Sequence, residues 1–282
     1  MIRRVVRTAL ITASLTSLVA SCAQGSGSDA GSRPAGPATA PGATTAPATA
    51  PPAVAALAGR YAHFDAVAYQ STQMKTLIVS FGFTDLWVEN GVLMTKQSFC
   101  HADHRSDQPI TVTMSDAATS AIKPIATPVS VSTVNGKVHI SRPPTPTGIG
   151  IRLQDPANES LPTDPNDPRI VDDDGDGNPG ITAHITVSPE FQGDLYIARR
   201  EIFAYELDVQ PDRKLTGTVL DKSEQLILGA SNPLFLTQAA WVQVPDLSKS
   251  PIVLVPVDAD WDCARLMAER ATLLPPTPTV DW

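Results

Sequence analysis

The residues with the clearest potential for chemistry lie in the run Asp172-Asp173-Asp174-Gly175-Asp176-Gly177-Asn178-Pro179-Gly180. Asp172, Asp174 and Asp176 alternate along the chain, so a tightly curled loop would bring their carboxylates to one centre. A glycine at the sixth position permits the sharp turn that such a loop needs. Because calcium prefers carboxylate and carbonyl oxygens, we expect calcium to bind through these three aspartates and the carbonyl of Asn178.

This spacing resembles the first half of an EF-hand-type loop, and it departs from that loop at the twelfth position. A bidentate glutamate would close an EF-hand there, whereas this chain has Ala183. The flanks differ as well, because Ile181 to Val187 alternates as a strand does. We therefore expect a calcium loop between strands, completed by a distant carboxylate or by water. The alternative is an acidic turn without an ion, in which neighbouring aspartates repel one another unless they are solvated.

The first 21 residues have the pattern of an export signal. Three arginines lie within the first seven residues, and the uncharged stretch Thr8 to Ala20 is too short to cross a bilayer. The segment ends Leu18-Val19-Ala20-Ser21-Cys22, which resembles the lipobox of bacterial lipoproteins. That resemblance implies a diacylglycerol thioether on Cys22, cleavage before it, and acylation of its new amino group with a fatty acid such as palmitate. A cysteine acylated in this way is a stable membrane anchor.

The residues after the anchor predict how the protein is held. In Gram-negative lipoproteins an aspartate after the cysteine usually retains the protein at the inner membrane, so Ala23 favours the outer membrane if the cell has one. Residues 22–56 are almost only Ala, Pro, Gly, Ser and Thr. Such a segment buries too little apolar surface to offset its ordering entropy, and we expect a disordered tether. Residues 57–282 are then a single domain outside the cytoplasm.

The remaining cysteines and the net charge narrow the possibilities further. Cys100 and Cys263 would lie in an oxidising compartment, where a disulfide between them is the simplest account and two separate buried thiols are the alternative. The formal net charge is −8, and losing the three arginines of the signal makes it −11. An acidic protein binds nucleic acid poorly, so we expect no nucleic-acid partner.

The domain has the pattern of a mainly β protein. Asn90-Gly91 and Asn135-Gly136 each lie between strand-like runs and are typical of type I′ hairpin turns. About ten candidate strands predict an antiparallel β-barrel or β-sandwich. The candidate strands after the first hairpin turn include Val129–Val134, Ile181–Val187, Leu195–Ala198, Ile202–Leu207, Leu215–Leu220 and Ile252–Val257.

Other segments predict short helices and a loop. Asp116 could cap a helix through Ile122, and Asp260 or Asp262 could cap a C-terminal helix that carries Cys263 and runs to about Thr272. The proline-rich segment 143–168 is predicted to be a long surface loop. Arg199 and Arg200 are neighbours in a strand, so they should face opposite sides, with one of them inward and paired.

Two resemblances bear on function. Residues 164–182 look like the central signature of a group of exported bacterial lipoproteins in which an acidic DGDG-x-PG turn leads into a strand. That resemblance implies location and architecture and names no activity. Gly59-Arg60-Tyr61 faintly resembles the Gly-x-Trp start of lipocalin-like barrels, which implies a carrier of a small apolar ligand.

The first hypothesis is a membrane-anchored envelope protein with a calcium-stabilised β domain and a structural or interaction role. The second is the lipocalin-like carrier. Expected partners are the lipid membrane, through acylated Cys22, and either another envelope protein or a small apolar ligand. The sequence has no Gly-x-Ser-x-Gly elbow, P-loop or dinucleotide fingerprint, so enzymatic activity is not the expectation.

Overall fold

The computed structural model describes residues 51–236 and 241–282, and this part of the chain is mainly antiparallel β-strand, as predicted. Cys22, and with it the predicted lipidation site, lies outside the described residues. The helices are α1 (Pro52–Ala55), α2 (Asp116–Ser120) and α3 (Cys263–Leu273), and two short 3-10 turns span Pro233–Phe235 and Leu247–Lys249. The strands are β1 (Gly59–Gln70), β2 (Lys75–Glu89), β3 (Val92–Ser106), β4 (Thr111–Met114), β5 (Thr127–Pro128), β6 (Ser130–Val134), β7 (Lys137–Ile149), β8 (Ile181–Ser188), β9 (Phe191–Val209), β10 (Leu215–Asp221), β11 (Glu224–Ala230), β12 (Val242–Gln243) and β13 (Pro251–Val257).

The strands form one curled sheet, a half-barrel, along the order β4-β8-β9-β10-β13-β1-β2-β3-β5. Strand β9 holds the branches together. Its first half pairs with β8 and β11, and its second half pairs with β7 and β10. This order differs from the sequential order of an up-and-down lipocalin barrel.

Both predicted hairpin turns are present. Asn90 and Gly91 have φ of 50° and 81°, and Asn135 and Gly136 have φ of 51° and 79°. Positive φ at both central residues is what a type I′ turn requires. The turns join β2 to β3 and β6 to β7, so local turn chemistry sets the register of these two hairpins.

The sequence predicted that the proline-rich segment 143–168 is a surface loop, and this is wrong for its first residues. Its first residues continue β7, which pairs with β9 as far as Ile149. Pro143 and Pro144 fall at the register shift between Arg142 and Thr145. A bulge accommodates residues that cannot donate to the ladder, which is why two prolines are tolerated inside a strand.

The disulfide joins the C-terminal helix to the sheet. Cys100 of β3 and Cys263 of α3 are bonded, with their Cα atoms 5.4 Å apart. Asp262 caps α3 by accepting a hydrogen bond from the backbone N–H of Arg265, as predicted. Helix α2 is capped by Ser115, one residue before the predicted cap, because the Ser115 side chain accepts from the N–H of Ala118 at 3.0 Å.

Side chains of β1 alternate between two apolar clusters, one on each face of the sheet. Tyr61 and Val67 belong to the inner cluster, on the concave face, together with residues of β9, β10 and β13. Ala62 and Phe64 belong to the outer cluster, which also contains Leu266 of α3. Both faces of the sheet are therefore packed, and burial of each large apolar side chain contributes about 1.5–3 kcal/mol.

Candidate functional site

The acidic run forms the end of the segment between β7 and β8, and backbone contacts hold its shape. The N–H of Gly180 donates to Val171 O, and the N–H of Asp173 donates to Gly180 O, both at 2.9 Å. Gly180 has φ of +86°, and a Cβ there would lie 2.2 Å from Ile197 O of β9. The loop is thus closed on itself and pressed against the sheet at a position that only glycine fits.

Three carboxylates converge in this loop. One oxygen from each of Asp172, Asp174 and Asp176 lies within 4.8 Å of the others. The oxygens of Asp172 accept the backbone N–H groups of Gly175 at 2.7 Å and Gly177 at 2.9 Å, which orients that carboxylate. The three aspartates that the spacing selects are therefore the ones that lie together.

The remaining members of the run have other partners. Asp173 turns away from the cluster, since its Oδ2 accepts from the Gly150 N–H at 2.7 Å and from Arg152 Nη1 at 3.0 Å. The N–H of Asn178 donates to Asp176 Oδ1 at 2.8 Å. Participation of the Asn178 carbonyl in a metal site stays a prediction.

The two carboxylate oxygens of Asp174 have different surroundings. Its Oδ2 accepts the N–H of Thr182 at 2.9 Å, whereas its Oδ1 is buried and has no hydrogen-bond partner in the described part of the chain. Burial raises the pKa of Asp174. The hydrogen bond from the Thr182 N–H lowers this pKa, whereas the Asp176 and Asp172 carboxylates raise it further. A buried, unpartnered carboxylate oxygen beside two other carboxylates fits a hard cation such as calcium.

A second group of polar residues lies inside the half-barrel. His63 and Asp65 of β1 are 0 % and 1 % exposed. The His63 ring contacts Thr84 Oγ1 at 2.7 Å through Nδ1 and Asp65 Oδ2 at 2.6 Å through Nε2. Hydroxyl, imidazole and carboxylate in this order can activate a nucleophile, but all three side chains are buried, so a solvent-borne substrate does not reach them in this conformation.

Charged residues of β9 and β10 extend this interior group. Burial raises the pKa of Glu201 to about 7; Arg199 opposes the shift, and the carboxylates of Asp221 and Asp65 add to it. Asp221 accepts a hydrogen bond from the hydroxyl of Tyr69. Glu201 therefore holds its proton to a higher pH than an ordinary carboxyl group does.

Arg142 is a further buried charge near this group. It is 1 % exposed and donates through Nη1 to Phe203 O. Its guanidinium carbon lies 5.4 Å from the centre of the Phe203 ring and 5.8 Å from that of Tyr205. No hydrogen-bond partner for its Nε is found among the described residues, so the charge is held mainly by aromatic faces and one carbonyl.

Sequence reasoning found only one member of this interior group. Arg199 and Arg200 were expected to face opposite sides. Arg199 is the inward residue, close to Tyr69 and Glu201, but the ion pair belongs to Arg200, whose Nη1 lies 3.2 Å from Glu224 Oε2. The alternation of side chains along β9 could have identified Glu201 as inward-facing, because Glu201 lies on the same face of the strand as Phe203, Tyr205 and Leu207.

Comparison of the chain with protein-family models, curated proteins and solved structures found no match. The candidate sites therefore rest on their geometry alone. Among the described residues, no helix has the length and apolar character needed to cross a membrane.

Proposed function

We propose that this chain is an exported lipoprotein of the cell envelope, anchored through acylated Cys22, whose β domain is stabilised by calcium and serves a structural or interaction role. The observation that carries the calcium part is the unpartnered Oδ1 of Asp174, buried beside the carboxylates of Asp172 and Asp176. Calcium would neutralise this local negative charge and bind the Oδ1 atom that has no partner among the described residues.

Weak binding is expected at this loop. Ala183 stands where a glutamate would close an EF-hand-type loop, so further ligands must come from the Asn178 carbonyl, water or a distant carboxylate. Extracellular calcium modules of this kind bind with a Kd of roughly 10⁻⁴ to 10⁻³ M. Magnesium should bind less well, because it demands near-ideal octahedral geometry and gives up its waters reluctantly.

Thermal unfolding tests the calcium site. The midpoint of the wild-type chain should rise between EGTA and about 10 mM calcium, since calcium at 100 times its Kd adds about 2.7 kcal/mol if it binds only the folded state. Asp174→Ala combined with Asp176→Ala should abolish that rise. Asp155→Ala combined with Asp164→Ala removes the same charge from the same segment and should leave the rise intact. If calcium does not change the wild-type midpoint and titration gives no heat, the loop is an acidic turn that does not bind calcium.

The anchor is supported by the sequence of residues 1–22. Replacing Cys22 with serine should prevent incorporation of radiolabelled palmitate and release the protein from the membrane fraction. Palmitate entering the Cys22→Ser chain would overturn the lipoprotein assignment. In a cell with two membranes, fractionation should find the wild type with the outer one, as Ala23 favours.

The lipocalin-like carrier has less support. A carrier needs an apolar cavity, whereas the inner face of this sheet holds a contiguous cluster of buried side chains. Tyr61, Leu215 and Leu254 are each 1 % exposed or less and belong to that cluster. The same face also carries the charged groups of Asp65 and Arg142, which disfavour an apolar ligand.

A further inference from the structure

A cleft of about 430 Å³ lies at the end of the sheet where the chain enters β1. Three arginines line it, and each comes from a different part of the chain. Arg60 belongs to β1, Arg213 to the turn between β9 and β10, and Arg265 to α3. The volume is within the usual range for a small-molecule site.

The lining of this cleft has an unusual balance of charge for this protein. The chain carries a formal net charge of −8, yet the cleft is lined by three guanidinium groups and one carboxylate, that of Asp258. Arginines separated this widely in sequence do not gather through a local run of basic residues. The charged groups that a ligand would meet in the cleft are therefore mainly cationic, and carboxylates outside the lining offset part of this charge.

Arg60 and Arg265 are each stacked on an aromatic ring and paired with carboxylates through part of the guanidinium group. The Arg60 guanidinium carbon lies 4.0 Å from the centre of the Phe83 ring, and that of Arg265 lies 4.3 Å from Trp261. Arg60 uses only Nη1 to reach Asp85, at 3.0 Å, and its Nε is buried without a partner among the described residues. Stacking fixes the plane of each guanidinium and leaves N–H groups for a ligand.

Carboxylates pair with Arg265 only in part. Its Nε lies 3.2 Å from Glu269, and its Nη1 lies 3.8 Å from Asp260. The Glu269 and Asp260 side chains are exposed, and their effect on the guanidinium is weakened by solvent. Both ion pairs of Arg265 are therefore weak.

Arg213 is the least compensated of the three. Among the described residues, no carboxylate lies within ion-pair distance of its guanidinium, and its Nη2 donates to Ala56 O at 3.2 Å. Its backbone has φ of +65°, a left-handed conformation that glycine adopts without cost and that a long side chain does not favour. The next residue, Lys214, is paired with Asp212 at 3.0 Å, so the turn gains its local ion pair without Arg213.

We propose that the Arg60–Arg213–Arg265 cleft binds the phosphate group of an anionic ligand. The planar fork of arginine matches phosphate oxygens in pairs, and Arg213, which has no carboxylate within ion-pair distance among the described residues, offers N–H donors to such a ligand. Two sources share this chemistry: a phosphate ester in solution and the headgroup of an anionic phospholipid.

The first experiment measures phosphate binding by the full chain carrying Cys22→Ser. Inorganic phosphate and glycerol phosphate are titrated at constant ionic strength set with chloride, and heat and the unfolding midpoint are recorded. Saturable binding is expected, and Arg213→Gln should raise the apparent Kd about tenfold or more, because a hydrogen bond to a charged group is lost. Lys214→Gln makes the same charge change in the same turn and should leave the Kd unchanged. Equal weakening by both variants, or no saturable binding to either solution phosphates or vesicles, would overturn the proposal.

The second experiment separates the two sources. Vesicles of phosphatidylglycerol and of phosphatidylcholine are sedimented with the same chain, which lacks its lipidation site. Retention on phosphatidylglycerol alone, lost in Arg213→Gln, supports a headgroup; phosphate binding without retention supports a soluble ester. If Arg213→Gln unfolds, as judged by circular dichroism, Arg265→Gln takes its place, since that side chain is 44 % exposed. Retention that persists in both arginine variants would contradict the assignment to this cleft.

Discussion

Gly150 and Gly180 lie against each other at the two ends of the segment that carries the acidic loop. A Cβ on Gly150 would lie 2.7 Å from the Cα of Gly180, and both residues have positive φ, of +68° and +86°. The contact brings the end of β7 and the start of β8 together beside Ile197 of β9. The acidic loop is therefore held in place by its stem, before any ion is considered.

Replacing Gly180 with alanine should destabilise the domain strongly. The new Cβ would lie 2.2 Å from Ile197 O in a backbone conformation with φ of +86°, so the stem must separate from β9. We expect a loss of roughly 2–4 kcal/mol in the free energy of unfolding, measured in urea. Gly175→Ala is the matched control, because its φ is +74° and nothing lies within 4 Å of the new Cβ. Only the conformational cost of about 1–2 kcal/mol remains there. Equal losses in the two variants would show that the stem contact does not matter.

Local signals in the sequence predicted the parts of the fold that local chemistry determines. Asn90-Gly91 and Asn135-Gly136 predicted two hairpins because their positive φ is a property of the turn itself. Asp262, one of the two candidate caps, begins α3, and this start was predictable because capping needs only neighbouring N–H groups. The three converging aspartates followed from their spacing in a curled loop. Each of these predictions depends on residues that are close in sequence.

Other features depended on contacts that sequence patterns do not contain. Pro143 and Pro144 predicted a loop, but a bulge opposite β9 accommodates them within β7. Nothing local in the sequence marks His63 and Asp65 as buried, because the curl of the sheet is what encloses them. The Arg60–Arg213–Arg265 cleft joins segments that are distant in sequence. These features depend on the curvature of the sheet and on contacts between distant segments, which local sequence patterns do not contain.

Removing the disulfide should weaken the domain and release α3 from the outer face. The bond spans 163 residues, and in the chain-entropy model closing a loop of this size stabilises by up to about 5 kcal/mol. Cys100→Ala combined with Cys263→Ala should lower the free energy of unfolding by roughly 2–5 kcal/mol. Reductant should weaken the wild type by a similar amount and leave the double variant unaffected. Two thiols that alkylate without reductant would contradict the bond.

Glu201 should contribute a loss of stability as the pH rises from about 5 to 8. Its pKa is raised from 4.5 to about 7 in the folded chain, so the folded state holds a proton that the unfolded state has released. The stabilisation is fully present below the unfolded pKa and is lost as pH rises through about 7. Glu201→Gln should flatten this dependence by roughly 1–3 kcal/mol. Urea unfolding at a series of pH values measures it.

Glu190→Gln is the control for that series, because Glu190 is exposed and its Oε2 accepts from Ser188 Oγ at 3.2 Å. It should keep the pH dependence of the wild type. A Glu201→Gln profile that parallels the wild type would mean that the interior carboxyl does not titrate in this range. If Glu201→Gln is more stable than the wild type at pH 8, the ionised carboxylate of Glu201 destabilises the folded state at that pH.

Asp174→Asn should have opposite effects with and without calcium. The pKa of Asp174 is raised by burial and by its neighbours; a raised carboxyl pKa stabilises the fold fully below the ordinary value and loses this contribution as pH rises through the folded value. At pH 7 the ionised side chain therefore weakens the calcium-free protein.

Asparagine keeps an acceptor for the Thr182 N–H and puts a donor where Oδ1 has no partner among the described residues, so the unfolding midpoint in EGTA should rise. The same variant should lose the stabilisation by calcium, because one charged ligand is gone. Asp164→Asn makes the same charge change outside the cluster and should alter neither midpoint. A calcium response that survives in Asp174→Asn would show that this carboxylate does not bind the ion.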